Sequence, residues 1–216
     1  MNGEETIKDE SIFNAQGGSG LAEEERAEDD YYATNPKAVD DLLRNETFGD
    51  RVWECACGEG HISKRLQKHG KNIYSTDKVD RGYGDDFFDF IDDNPYDRLE
   101  GHDIITNPPF SSAKHFVEKS YDLIEEGRKI AMFLRISFLE SVNRLSLFER
   151  HPPIRVYVYS SRICCAKNGD PKEFEGSGAM CFAWFVWKKG NTENPMLSWI
   201  KPESYREQTK LEGLQE

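Results

Sequence analysis

No stretch of the 216-residue sequence approaches the roughly 18 consecutive apolar residues of a membrane-spanning helix, and the first residues are acidic where a secretory signal is basic and then apolar. A cytoplasmic protein without membrane contact is therefore expected. The five cysteines, Cys55, Cys57, Cys164, Cys165 and Cys181, include no CxxC pair and are odd in number, which argues against a zinc site or a disulfide framework and predicts reduced thiols and no metal. Internal repeats are absent. Basic residues are scarce: 28 Lys and Arg stand against 40 Asp and Glu, for a net charge of −12, and this balance counts against a nucleic-acid enzyme. Ten of those acids lie in residues 1–30 against only Lys8 and Arg26, so −4 remains for residues 31–216 and the objection weakens.

The length suits one well-cored domain. Residues 1–30 combine "AQGGSG" with "EEERAEDD" and few large apolar groups, which predicts a disordered acidic leader; residues 31–216 form the expected domain. Pro36 opens a helix with Val39, Leu42 and Leu43 at helical spacing. "RVWECA" (51–56) reads as a buried strand, "GHISKRLQKHG" (60–70) as a helix closed by Gly70, and "NIYST" (72–76) as a second strand. Further on come "DIIT" (103–106), a helix over 111–126 that Ser111 or Ser112 can cap, the strand "KIAMFLRI", the helix "LESVNRLSLFER", and the strands "IRVYVYSSRI" and "MCFAWFVWKK". Strands alternating with helices predict a mainly parallel sheet covered on both faces, with the final two strands antiparallel to each other.

The loop "ECACGEGH" places Gly58 and Gly60 between a strand and a helix, where glycine permits a tight turn and close approach of a ligand to backbone N–H groups. Ser63 stands where a third glycine would complete GxGxxG, and Glu54 and Glu59 add negative charge, so a dinucleotide phosphate fits poorly. Asp77, ending the second strand, can accept hydrogen bonds from both hydroxyls of a ribose. A positively charged adenosine such as S-adenosylmethionine fits this mouth better. Asp86 and Phe87 can then bond the adenine amino group and pack on its ring.

"NPPF" (107–110) has chance odds on the order of 10⁻³ in a chain this long. An exocyclic amino or amide nitrogen is a poor nucleophile because its lone pair is delocalised. Two acceptors for its two protons, the side-chain carbonyl of Asn107 and the backbone carbonyl of Pro108, favour a more localised pair, and Pro108 and Pro109 aim them in advance. Phe110 offers a ring on which a planar group can stack. Transfer is then a direct displacement accelerated mainly by orientation, with no covalent cysteine intermediate.

In the order "YYATNP", "ECACGEG", "STD", "DDF", "NPPF", "MFLRISFLES", over roughly residues 31–200, the sequence resembles the S-adenosylmethionine-dependent amino-methyltransferases, most closely DNA adenine-N6 methyltransferases, including stand-alone ones of phages and prophages. The resemblance implies a Rossmann-like α/β fold with a seven-stranded sheet, helices on both faces and a reversed last strand. It implies that Tyr32, Thr34, Pro36, Glu54, Cys55, Gly58 and Gly60 surround the cofactor's methionine end, Asp77 its ribose, and Asp86 and Phe87 its adenine, with Asn107 to Phe110 at the target amino group. Asn35 stands where the family commonly has Pro, and Cys55 replaces the usual Pro after the acid.

No target-recognition domain separates the cofactor motifs from NPPF, which leaves the loop 160–180 as the candidate reader of sequence. Arg135, Arg144, Arg162 and Lys167, with Arg150 and Arg155, are candidate nucleic-acid contacts. DNA is the expected substrate, with the base flipped out if the DNA is duplex. RNA adenine or guanine, cytosine-N4 and a protein glutamine amide use the same chemistry, and a non-catalytic binder retaining the fold is the reading from another class. No obligatory protein partner is implied.

Overall fold

The apolar runs form the strands their composition predicts, and the structure, a computed structural model, describes residues 30–93, 100–175 and 180–203. The expected acidic leader lies outside the described residues except for Asp30. In chain order the elements are β1 (Tyr32–Ala33), α1 (Pro36–Asn45), β2 (Arg51–Glu54), α2 (His61–Lys68), β3 (Asn72–Asp77), β4 (Asp86–Phe87), β5 (Asp103–Thr106) and α3 (Ala113–Leu123). There follow β6 (Lys129–Arg135), a 3₁₀ turn (Ile136–Leu139), α4 (Val142–Arg150), β7 (Arg155–Tyr159), β8 (Ala166–Lys167), a 3₁₀ turn (Pro171–Glu175), β9 (Phe182–Lys188) and β10 (Met196–Ile200).

Eight strands form the main sheet in the order β10-β7-β9-β6-β5-β2-β3-β4. Only β9 runs antiparallel, against both β6 and β7. The expected reversed strand is therefore present but is not the last, because β10 follows and pairs parallel to β7 at the edge. The sheet has eight strands where seven were expected. Successive side chains of a strand point to opposite faces, and the core divides accordingly. Ala131 and Phe133 of β6, with Trp184 and Val186 of β9, pack beneath Val39 and Leu42 of α1 and Ile62 and Leu66 of α2. Met132 and Leu134, with Phe185 and Trp187, pack beneath Phe116 and Val117 of α3 and Leu147 of α4.

Burial of Trp53, Trp184 and Trp187 is complete, and each contributes roughly 4–6 kcal/mol of gross transfer free energy. No indole N–H is stranded. Trp53 donates to the Thr76 hydroxyl at 2.9 Å, Trp184 to the Ala38 carbonyl at 2.9 Å and Trp187 to the His151 carbonyl at 3.0 Å.

At the start of α1 the side-chain carbonyl of Asn35 accepts the Lys37 amide at 3.0 Å, and Pro36 takes the first helical position. Asn35 thus supplies a cap at the position where the resemblance leads one to expect Pro. For α3 the expected serine cap is not made: Ser112 sits at the cap position without a side-chain bond, and its amide donates to the Pro109 carbonyl at 3.0 Å.

The chain runs outward from β2 to β3 and β4, then returns to place β5 on the other side of β2. The crevice at the carboxyl ends of β2 and β5 is the switch point where open α/β sheets bind ligands. Among the described residues no helix is long and apolar enough to cross a membrane, and no group of three His, Cys, Asp or Glu side chains is placed to hold a metal ion.

Candidate active site

A cavity of about 520 Å³ opens at this crevice. Its floor is Glu54–Cys57 after β2, Asp77–Val79 after β3 and Asn107–Pro109 after β5, and residues 30–34 form its roof. The roof is held from two sides. β1 pairs with β8, Tyr32 opposite Lys167 and Ala33 opposite Ala166, and Asp30 accepts the Ser111 amide at 2.9 Å.

Glu54 is 1% exposed, and both the amide and the hydroxyl of Ser63 donate to its Oε2, the amide at 2.8 Å. Ser63 Oγ also lies 2.8 Å from Ser75 Oγ. Burial pushes the Glu54 carboxyl up to about 8, the Ser63 bonds pull against that shift, and the charge of Asp77 adds to it. The residue that breaks the GxGxxG pattern thus holds the acid at the cavity floor.

Asp77 Oδ2 accepts the Gly58 amide at 2.7 Å, while Oδ1 accepts the Val79 amide at 2.9 Å and pairs with Arg81 at 3.2 Å. The acid that sequence assigns to a ribose therefore also fixes the glycine loop. Gly58 and Gly60 have φ of +53° and +79°, in the left-handed region that favours glycine. Neither lines the cavity. A Cβ at Gly58 would meet the Tyr31 ring at 2.4 Å and one at Gly60 the Tyr83 ring at 2.4 Å, so the close approach here is made by tyrosines. Tyr31 lies under the Arg81 guanidinium and its hydroxyl accepts the Glu59 amide at 3.2 Å; burial pushes its phenol up to about 12. Sequence reasoning missed Tyr31, Ser63 and Arg81. Only Ser63 carried a signal, as the departure from a glycine pattern.

At the end of β5 the Asn107 side-chain amide donates to the Tyr32 carbonyl at 2.7 Å. Its Oδ1 is buried without a hydrogen-bond partner among the described residues, as are Thr34 Oγ1 and His61 Nδ1, and all three residues line the same cavity. Burial lowers the affinity of His61 for a proton. Burial holds the thiols of Cys55 and Cys57 well above their ordinary range, so both stay protonated.

Other expected residues lie elsewhere. Asp86 accepts the Tyr74 hydroxyl at 2.8 Å and Phe87 is 45% exposed; neither lines the cavity. Three residues on, Asp89, Phe90 and Ile91 do, with Phe90 stacked on Phe116 at 4.7 Å. Phe110 does not line the cavity either. Its ring stacks on Tyr32 at 5.5 Å and carries the Arg135 guanidinium at 4.6 Å, so it packs the turn where a free stacking face was expected. Pro36 acts as the first residue of α1 and is not in the lining.

The expected cationic set is largely engaged internally. Arg144 donates to the carbonyls of Phe138 at 2.7 Å, Ser137 at 2.9 Å and Glu140 at 2.8 Å. Arg150 pairs with Glu118 and Arg155 with Glu46. In the 160–180 loop, residues 163–166 are buried, Lys167 belongs to β8, and Phe174 meets His61 edge-on at 5.6 Å. The loop meets the start of α2 through that contact, with Arg162 exposed on it; residues 176–179 lie outside the described residues.

No family model matches the chain, and no curated protein matches it in sequence. Among solved structures it is similar to a protein from Listeria monocytogenes described as a class I S-adenosylmethionine-dependent methyltransferase, with 10% identity and a TM-score of 0.53 over 94% of this chain and 75% of that one. It is similar to a protein from Lactococcus lactis described as a hemolysin, with 11% identity and a TM-score of 0.53 over 82% of this chain and 95% of that one. It is also similar to the M protein of the type I restriction enzyme EcoKI, with 13% identity and a TM-score of 0.53 over 76% of this chain and 45% of that one, so it spans less than half of that protein. At these identities the likeness concerns the backbone, and the chain has the fold of the class I S-adenosylmethionine-dependent methyltransferases.

Proposed function

We propose that this chain is an S-adenosylmethionine-dependent methyltransferase acting on the exocyclic N6 amino group of adenine in DNA. The observation that carries the reading is Asn107. Its side-chain amide donates to the Tyr32 carbonyl, which fixes the group, and its Oδ1 is buried with no hydrogen-bond partner among the described residues, in a residue that lines the cavity together with Glu54 and Asp77. A binder has no use for such an acceptor.

The lining fits the cofactor. Glu54 and Asp77 suit a cationic nucleoside, Thr34 and His61 offer unpartnered polar atoms, and Val79, Phe90 and Ile91 provide an apolar slot for its base, in place of the Asp86 and Phe87 assigned from sequence. When bound, S-adenosylmethionine supplies an electrophilic methyl group on a sulfonium. Asp77 would hold the ribose hydroxyls, with its Oδ2 also accepting the Gly58 amide and its Oδ1 also paired with Arg81. Asn107 Oδ1 and the Pro108 carbonyl accept the two protons of the target amino group and orient its lone pair; the rigid Pro108–Pro109 pair keeps that geometry fixed beforehand. In duplex DNA the adenine must leave the stack to reach Asn107.

One observation favours a second reading, transfer to a protein glutamine amide. Arg144, Arg150 and Arg155 are spent on internal partners, and the segment after β6 exposes Leu139, Val142 and Leu145. Methyl-labelled S-adenosylmethionine incubated with unmethylated DNA, total RNA and cell protein, followed by hydrolysis, separates these readings. N6-methyladenine from DNA alone supports the first. Label only in RNA or protein keeps the chemistry and overturns the substrate, and no label anywhere overturns both.

A further inference from the structure

We infer that Ser63 is a positioning residue of the cofactor site: it fixes Glu54 through one carboxyl oxygen so that the other is presented to the cavity. This rests on the proposed function, since it deepens how the site receives a cation. Both Ser63 donors converge on Oε2, and Oε1 takes no hydrogen bond from the described residues. Ser63 is itself held, fully buried, by contact of its hydroxyl with Ser75.

The arrangement also resolves the start of α2. Its cap residue, Gly60, has no side chain to satisfy the first amides of the helix, and Glu54 reaches in from β2 to accept the amide of the third residue. One oxygen is thus committed to a helix N-terminus, which favours its charged form. A glycine at position 63, as in the dinucleotide pattern, would keep the amide bond and lose the hydroxyl. The hydroxyl is therefore the element that adapts a phosphate-type loop to a buried acid facing a cationic ligand.

The titratable groups around Glu54 are Asp77 at the end of β3, the Cys55 and Cys57 thiols of its own loop, and His61 at the start of α2. All but Glu54 keep their surroundings when the Ser63 hydroxyl is removed. Without that bond the burial of Glu54 is less compensated, and its carboxyl holds its proton to higher pH before a ligand ammonium displaces it.

The test is calorimetric titration of the full chain with S-adenosylhomocysteine, which carries the same amino end, at pH 8 in two buffers of different ionisation enthalpy. Ser63→Ala is expected to raise the number of protons released per ligand and to move the pH of tightest binding upward. Ser75→Ala, which leaves both Ser63 donors in place and loosens only their support, is expected to shift both in the same direction by less, and it serves if Ser63→Ala does not fold. Weaker binding with unchanged proton release and an unchanged pH optimum would assign Ser63 a merely structural role and overturn the inference. Failure of the unsubstituted chain to bind S-adenosylhomocysteine would overturn the proposed function, and the role of Ser63 with it.

Discussion

Replacing Asn107 by Ala tests the reading at its centre. The substitution removes one of two preorganised acceptors for the target amino group and leaves the Tyr32 carbonyl without the donor it has at 2.7 Å. Loss of one preorganised polar group at a reacting centre typically costs 10²–10³ in kcat, or about 2.7–4 kcal/mol. The orphaned carbonyl adds a separate loss of about 1 kcal/mol in stability, small enough for the fold to persist. Single-turnover transfer from labelled cofactor should therefore fall at least about 100-fold, while affinity for S-adenosylhomocysteine stays within about threefold, the split expected of a group that acts on the transition state. Asn107→Asp keeps an oxygen toward the cavity but sets a carboxylate oxygen against the Tyr32 carbonyl, so its rate should fall as well. A rate for Asn107→Ala within about tenfold of the unsubstituted chain, or a loss found only in cofactor affinity, would refute the reasoning.

Glu54→Gln should stabilise the fold increasingly as pH rises. The folded carboxyl titrates at about 8, above its ordinary value of 4.5, so its neutral form contributes stability that is complete below the ordinary value and is lost as pH rises through about 8. Unfolding free energies from urea titration at pH 5, 7 and 9 should diverge from those of the unsubstituted chain by up to a few kcal/mol, and parallel curves would contradict the assignment. Gly58→Ala, which puts a Cβ at positive φ and against the Tyr31 ring, should cost about 1–3 kcal/mol in denaturant unfolding, with part recovered by Tyr31→Ala; strict additivity would show that the ring contact is not the cause. Arg144→Ala should lower the thermal midpoint, since three carbonyls lose their donor, while leaving the salt dependence of DNA binding unchanged; a reduced salt slope would restore Arg144 to the nucleic-acid contacts.

The central strands were legible because they are continuous apolar runs bounded by Gly, Asp or Asn, as in "DIIT" and "MCFAWFVWKK". β10 was not, since "MLSWI" directly follows Pro195 and is short, with Met196, Leu197 and Trp199 exposed at the sheet edge, so no buried apolar run marks it. β1 and β8 are two residues each, below any pattern a periodicity can carry. The placement of the glycine loop, Asp77 and NPPF at the carboxyl ends of β2, β3 and β5 was readable because backbone conformation and polar chemistry restrict the residue types at such turns. Which acid and Phe line the cavity was not: "DDFFDFIDD" repeats the pair three residues apart, and composition cannot choose between Asp86 with Phe87 and Asp89 with Phe90, of which the second pair is in the lining. The Phe110 ring was misplaced for a similar reason, because a sequence does not tell whether an aromatic faces a ligand or, as here, Tyr32 and Arg135.

The roof of the cavity rests on a ribbon of only two residue pairs, outside the eight-stranded sheet. Its amides belong to the low end of the range of opening free energies, whereas those of β6 and β9 report global unfolding. Hydrogen exchange at Ala33 and Lys167 should accordingly be fast relative to Phe133 and Phe185. Local opening of this ribbon would then rearrange one wall of the cavity without unfolding the sheet. Because the Tyr32 carbonyl that accepts from Asn107 sits in the same ribbon, each opening would also release that side-chain amide, so under the proposed function the rate of transfer should track the stability of two residue pairs.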